Sequence, residues 1–242
     1  MRSGSANASL AGEAYAIVRQ RIMRGELALG QPVSRRKLAG ELGMSFVPVS
    51  EALQRLEFEG LLESRPRAGT RVRIPSRQDI LGHYVVREAL EVQAARLFAE
   101  TASRDECAEL MKLATRLDTL RQRFESSRLQ FLTLHEKLHR RIAEYAHCPA
   151  LSEAIEKTHA LASIWLVSCK STSTVSRRHR DLMEALVQND PDLAADAMRR
   201  HIEHSRQNAL ERLEPFFRIR RQHTHTYARA AKNLPAAAAA TS

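Results

Sequence analysis

Aromatic side chains are scarce in this chain: Phe, Trp and Tyr make up 5% of its 242 residues, with a single Trp. That excludes the stacking platform by which some proteins grip single-stranded nucleic acid. Cysteine is scarcer still. Cys107, Cys148 and Cys169 are odd in number and far apart. They build neither a disulfide framework nor a paired-cysteine redox motif, which suits a reducing cytosol. No stretch reaches the roughly 18 apolar residues of a membrane span, and the N-terminus lacks the apolar run of a signal peptide. A cytoplasmic location is therefore expected. Glycines number only 9, while 27% of residues are charged and 43% hydrophobic, a balance that favours helices around a real core.

What the chain does have is positive charge, unevenly placed. The formal net charge is +10. Residues 1–75 carry 12 Lys+Arg against 7 Asp+Glu, residues 76–212 carry 21 against 20, and residues 213–242 carry 5 against 1. A basic module joined to a near-neutral one suits a reader of a polyanion with a separate control domain.

The basic module contains two short amphipathic helices. Leu38 and Leu42 share one face of the first. Gly43 ends it, where the chain needs a positive φ. Ser45 stands as N-cap of the second, and Pro48 falls in its first turn, where a missing N–H costs little. Val49, Leu53 and Leu56 give that helix one apolar face. This is the helix-turn-helix pattern, although the same spacing also fits an ordinary helical hairpin. Leu61 to Ser64 and Thr70 to Ile74 then read as two strands. Val72 and Ile74 alternate with Arg71 and Arg73, so Arg65, Arg67, Arg71 and Arg73 would form a cationic wing able to lie along phosphates. Upstream, residues 1–9 are expected to be frayed, and a helix is expected over 14–24.

Pro75-Ser76 marks a boundary. Beyond it the helical period predicts helices near 77–101, 104–126, 128–147, 150–170, 174–189 and 192–212, with Asp190 capping a helix that begins at Pro191. The fold class is mainly α: an N-terminal winged helix-turn-helix domain (1–75), an all-α bundle (76–212) and a basic, alanine-rich tail (213–242) expected to be disordered.

Ten histidines are many for this length. His135 and His139 are four apart and share a face with Leu132 and Ile142. His179 lies with Leu182 and Leu186 on one helix, and His201 with Ala194 and Ala197 on the next. The tight turn between those two helices brings His179 and His201 level. A lone histidine on an apolar face is usually a core residue. Four at one height fit either a set of core histidines or a site for Zn, Ni, Cu or Fe. Arg87 fits an ion pair with Glu91; facing a cavity, it would instead grip a carboxylate.

These residues resemble the GntR family of bacterial transcription regulators, in its FadR-like branch with an FCD effector domain. The likeness runs over about residues 13–212. It rests on Arg24-Gly25-Glu26-Leu27, Lys37-Leu38-Ala39, Glu41-Leu42-Gly43-Met44-Ser45, Pro48-Val49, Glu51-Ala52-Leu53 and Glu59-Gly60-Leu61. In the second domain it rests on Arg87 to Glu91, His139 to Ala150 and His179 to His201. The resemblance implies a homodimer on a palindromic double-stranded DNA operator, most often as a repressor. It also implies a small carboxylic acid effector, often held through a metal.

On that resemblance the DNA-binding residues are Arg36, Ser45, Phe46, Val47, Pro48, Ser50, Arg67 and Gly69. Arg87 is the effector-binding residue, and His135, His139, His179 and His201 are the metal ligands. Two departures stand out. The family's recognition stretch usually reads Ser-Arg-Thr-Pro-Val-Arg-Glu-Ala-Leu; here Phe46 and Ser50 replace both arginines, the usual readers of guanine. An altered operator is expected. His135 also replaces the family's usual Asp, and an all-histidine set favours Zn or Ni over Mn. No catalytic residues are assigned. Two other readings compete: a metal-dependent hydrolase or oxygenase with Glu136 as the nearest base, and a sensor that has lost DNA reading.

Overall fold

The structure, a computed structural model, describes residues 3–65, 69–122, 124–156, 158 and 178–232. Arg67, His159, Cys169, Val175 and most of the helix expected over 150–170 lie outside them.

The first module is built on α1 (Ser3–Met23), α2 (Arg35–Leu42) and α3 (Phe46–Phe58). Ala14, Val18 and Ile22 repeat at four residues and are buried, so one stripe of α1 packs on α3. From α3 come Val49, Leu53 and Leu56, all fully buried. Burial of each such side chain contributes about 1.5–3 kcal/mol. Tyr15 closes the edge of this contact. Its hydroxyl donates to Glu59 at 2.7 Å, and Arg55 lies 4.0 Å over its ring. Burial, then Glu59, pushes the phenol up to about 12. Between α2 and α3 the chain turns through Gly43 at φ 63°, a left-handed conformation that disfavours a Cβ.

The wing is a three-stranded antiparallel sheet of β1 (Pro32–Val33), β2 (Leu62–Arg65) and β3 (Gly69–Val72), in the order β1-β3-β2. Leu62 faces Val72 and Ser64 faces Thr70 in its register. Glu57 anchors the wing to α3 by accepting from the Ser64 amide at 2.8 Å. The strand β1 is an addition to the two expected, too short for periodicity to reveal.

The helical module begins at α4 (Arg77–Thr101). A reciprocal capping box of Ser76 and Asp79 sets its start. Next come α5 (Arg104–Gln122) and α6 (Phe124–Glu144), then α7, described over 149–156, α8 (Arg178–Leu186) and α9 (Pro191–Lys232). Asp190 caps α9 as expected, accepting from the amides of Asp192 and Leu193, both at 3.0 Å. The long helices α4 and α9 run against each other, with Tyr84 bonding Ser205 across the seam, and α5 packs on α6 and α8.

Three expectations need correction. Helix α1 begins at Ser3, inside the segment expected to fray; small Ala and Ser residues with no proline let it extend. Helix α9 runs on to Lys232, past the end expected near 212, and Pro215 lies within it. The helix-forming residues after Pro215 outweigh the single hydrogen bond it removes. Finally, the wing is less cationic than its composition. Glu63 pairs with Arg71 at 2.6 Å and Arg65 at 3.4 Å, and Asp79 pairs with Arg73 at 3.0 Å.

Candidate metal centre and nucleic-acid interface

Four histidines from three helices converge in the bundle. On α6, the ring centroids of His135 and His139 lie 4.6 Å apart. His179 of α8 is 5.2 Å from His135, and His201 of α9 is 5.2 Å from His139 and 5.3 Å from His179. Donor atoms of His135, His139 and His201 all lie within 4.8 Å of one another. His179 stands beside this set. The helical pitch on α6 and the turn between α8 and α9 account for the arrangement.

Each supporting contact selects a ring nitrogen. Glu91 Oε2 lies 2.7 Å from His139 Nδ1. Asp118 Oδ1 lies 2.9 Å from His179 Nδ1. In both rings Nε2 is the nitrogen left for a ligand, and carboxylate–histidine pairs of this kind orient metal ligands and raise their basicity. His201 Nε2 is buried with no hydrogen-bond partner among the described residues. Burial, then the neighbouring histidines and Arg87, holds His135 and His201 well below the usual imidazole range, so both rings are neutral, as a ligand must be. A buried, convergent set of imidazoles fits a divalent transition ion. The donors need to close by only a fraction of their present spacing to reach bonds of about 2.0–2.1 Å.

Asp118 was not evident from the sequence. It sits on α5, yet its second oxygen accepts from the Arg180 amide at 3.0 Å and its first from the His179 amide at 3.3 Å. One carboxylate therefore caps α8 and fixes a histidine ring. No local pattern could reveal a cap supplied from 61 residues away. Glu91 was expected to pair with Arg87, but not to reach His139 as well.

Arg87 has no solvent exposure. Its Nε donates to Glu91 Oε1 at 2.6 Å, and its Nη2 to Oε2 at 3.3 Å. Burial opposes its charge, but Glu91 and Tyr84 more than offset that and hold its pKa above the usual value. It does not line the cavity that opens beside His135, His179 and His201. That cavity is small, about 50 Å³, opens to solvent, and is lined by Arg121, Phe131, Leu132, Arg178, Ser205, Asn208 and Arg212 besides the histidines. These arginines were not singled out from sequence. Glu136, the nearest candidate base, instead pairs with Arg19 of α1 at 3.5 Å.

In the other module, Ser45, Phe46 and Val47 project at the start of α3, with Phe46 54% and Val47 52% exposed. Large apolar side chains open to solvent at a helix N-terminus suit a surface that is covered on binding. Ser45 takes the N-cap position, but its hydroxyl makes no cap bond, leaving it available to a phosphate. Arg36 and Gly69 are exposed and Ser50 is half-buried. Pro48 is buried, so it shapes the first turn of α3 and offers no side chain to DNA. Arg35, next to the expected Arg36, lines a groove with Ser34, Ser64, Arg65 and Gly69 at the base of the wing.

Comparison with known proteins agrees with both modules. Residues 10–72 match the model of bacterial regulatory proteins, gntR family, and residues 83–204 match the FCD domain. The probable D-xylose utilization operon transcriptional repressor of Paenarthrobacter nicotinovorans is 31% identical over 185 residues, covering 75% of this chain and 80% of that protein. The HTH-type transcriptional repressor RspR of Escherichia coli K12 is 28% identical over 196 residues, covering 78% and 84%. In fold, the chain resembles a GntR regulator from Rhodococcus sp. RHA1, with a TM-score of 0.70, 20% identity and coverage of 84% of this chain and 98% of the other. These relatives are transcription regulators, not enzymes. With a DNA-reading module at one end and a helical FCD domain at the other, the chain belongs to the gntR family of bacterial regulatory proteins.

Proposed function

We propose that this protein is a cytoplasmic, homodimeric transcriptional repressor that senses a small carboxylic acid through a metal-containing FCD domain. The observation that carries the reading is the convergence of His135, His139 and His201 within 4.8 Å, with His179 alongside, next to an arginine-lined cavity. A Zn or Ni ion on those imidazoles would supply a Lewis-acidic point for a carboxylate oxygen. The protein's own part is to aim His139 and His179 through Glu91 and Asp118, to keep His135 and His201 neutral by burial, and to surround the acid with cations. Regulation then requires that the acid bind one arrangement of the two DNA-reading modules better than the other. Leu81, Val85 and Val86 on α4 are exposed and give a second copy an apolar face to cover. The names of the relatives support repression.

Purified protein should carry about one equivalent of Zn or Ni, and His201→Ala and His179→Ala should each lose most of it. Elemental analysis reads this directly. Unchanged metal stoichiometry in both variants would refute the site.

For DNA, Phe46 and Val47 are placed to touch thymine methyl groups, while Ser50 cannot form the two-pronged bond of an arginine to guanine. Binding to the DNA flanking its own gene should weaken linearly on a log–log salt plot. The double variant Phe46→Arg with Ser50→Arg should shift preference toward the family's usual operator by about ten- to a hundredfold per restored contact. Tight wild-type binding to that usual operator would show that the two replacements are not the specificity determinants. No salt-dependent binding to any DNA would mean that the module no longer reads it.

A further inference from the structure

Helix α9 outlasts the domain it belongs to. The FCD match ends at residue 204, whereas α9 runs on to Lys232. Leu213 and Phe217 are buried and join the hydrophobic core, which fixes the helix that far. After Phe217 the sequence changes character. Residues 218–232 hold Arg218, Arg220, Arg221, Arg229 and Lys232, and no Asp or Glu. Ile219 and Tyr227 are the only large apolar residues there, so the segment carries no continuous apolar stripe.

Helical pitch sorts these charges. Arg218, Arg221, His225, Arg229 and Lys232 follow at intervals of three, four, four and three. At about 100° per residue, those positions keep within a stripe about 80° wide. At about 1.5 Å per residue, the stripe is about 21 Å long. Arg220 falls on the far side of the helix, about 200° from Arg218. Arg218 is exposed and has a loose ion pair with Glu214, 3.8 Å away. Individual ion pairs do not alter the sum. Residues 76–212 balance 21 bases against 20 acids, so the surplus of residues 213–242, 5 against 1, persists in the net charge of +10.

We propose that the end of α9 is a basic arm that holds duplex DNA by its phosphates, a sequence-independent contact added to the reading by the winged module. A stripe of about 21 Å matches about six base pairs along one strand. The charge complements a polyanion, and the missing apolar stripe disfavours a membrane surface, which amphipathic helices enter with an apolar face.

DNA binding by the full-length chain, read by fluorescence anisotropy at several salt concentrations, tests the arm. The probes are the DNA flanking the gene and a shuffled duplex of equal length. Combining Arg218→Gln, Arg221→Gln, Arg229→Gln and Lys232→Gln removes four charges and keeps good helix formers. The log–log salt slope should become shallower by about 2–4 on both duplexes, since each neutralised phosphate contributes about 0.9. Affinity for both should fall by the same factor, at least about tenfold at low salt, with the preference between them unchanged. Arg221→Gln alone should lower the slope by about 0.9, and Arg220→Gln by less than about half of that. Circular dichroism checks that the fold is kept. An unchanged slope in the fourfold variant overturns the arm, and so does an Arg220→Gln effect equal to that of Arg221→Gln. Loss of binding to phosphatidylserine vesicles with DNA binding intact would assign the segment to a membrane and overturn it as well. A winged module that shows no preference between the duplexes would fail its own reading, while the slope difference on the shuffled duplex still decides the arm.

Discussion

Replacing Glu91 with Leu is expected to destabilise the protein by about 3–5 kcal/mol, the usual cost of stripping the partner from a buried charge. Arg87 is fully buried, and both of its bonded nitrogens reach Glu91. The guanidinium stays charged at any accessible pH, so it cannot escape by losing a proton. The same carboxylate lies against His139 Nδ1, so the variant should also lose metal. The two effects separate in a second variant. Arg87→Met combined with Glu91→Leu removes both charges, and most of the stability should return because no unpaired ion remains. Metal affinity should stay low, since His139 still lacks its carboxylate. Urea unfolding and elemental analysis on the same samples report the two quantities. A Glu91→Leu midpoint equal to the wild type would mean that Arg87 finds another counter-charge.

The parts of the molecule that follow local rules could be read from sequence. Gly43, Ser34, Asp190 and the capping box at Ser76 act within a few residues, and the structure uses Gly43 and Asp190 as expected. The helix over 77–101 is found as Arg77–Thr101. The histidines came together because helical pitch and one tight turn fix their heights. What could not be read depends on distance along the chain. Asp118 reaches His179 across 61 residues. Arg121, Arg178 and Arg212 share a wall only because α5, α8 and α9 meet there. The wing shows the same limit from the other side: its arginines were legible, but their pairing with Glu63 and Asp79 depends on strand register and the approach of α4. Pro48 illustrates how a family motif misleads about contact. It belongs to the DNA-reading stretch, yet its side chain faces the interior.

Asp118→Asn should weaken metal binding by about 10–100-fold, the range seen when a carboxylate behind a ligating histidine is removed. The change is nearly isosteric, so packing is retained while the charge goes. The carboxylate now accepts from His179 Nδ1 and from the amides of His179 and Arg180. An amide has one accepting oxygen, so its NH₂ group must face a donor at one of these points. Losing one such charge-assisted bond costs about 1.5–3 kcal/mol. Losing the negative charge at the start of α8 adds up to about 1–2 kcal/mol through the helix dipole. Asp181→Asn is the matching control. Asp181 lies in the first turn of the same helix but is exposed, with no hydrogen bond to a histidine among the described residues, so its loss should cost a few tenths of a kcal/mol and leave metal affinity unchanged. If Asp118→Asn melts early yet keeps full metal affinity, the carboxylate serves α8 alone, and the orientation of His179 must come from packing against Phe131 and its neighbouring rings.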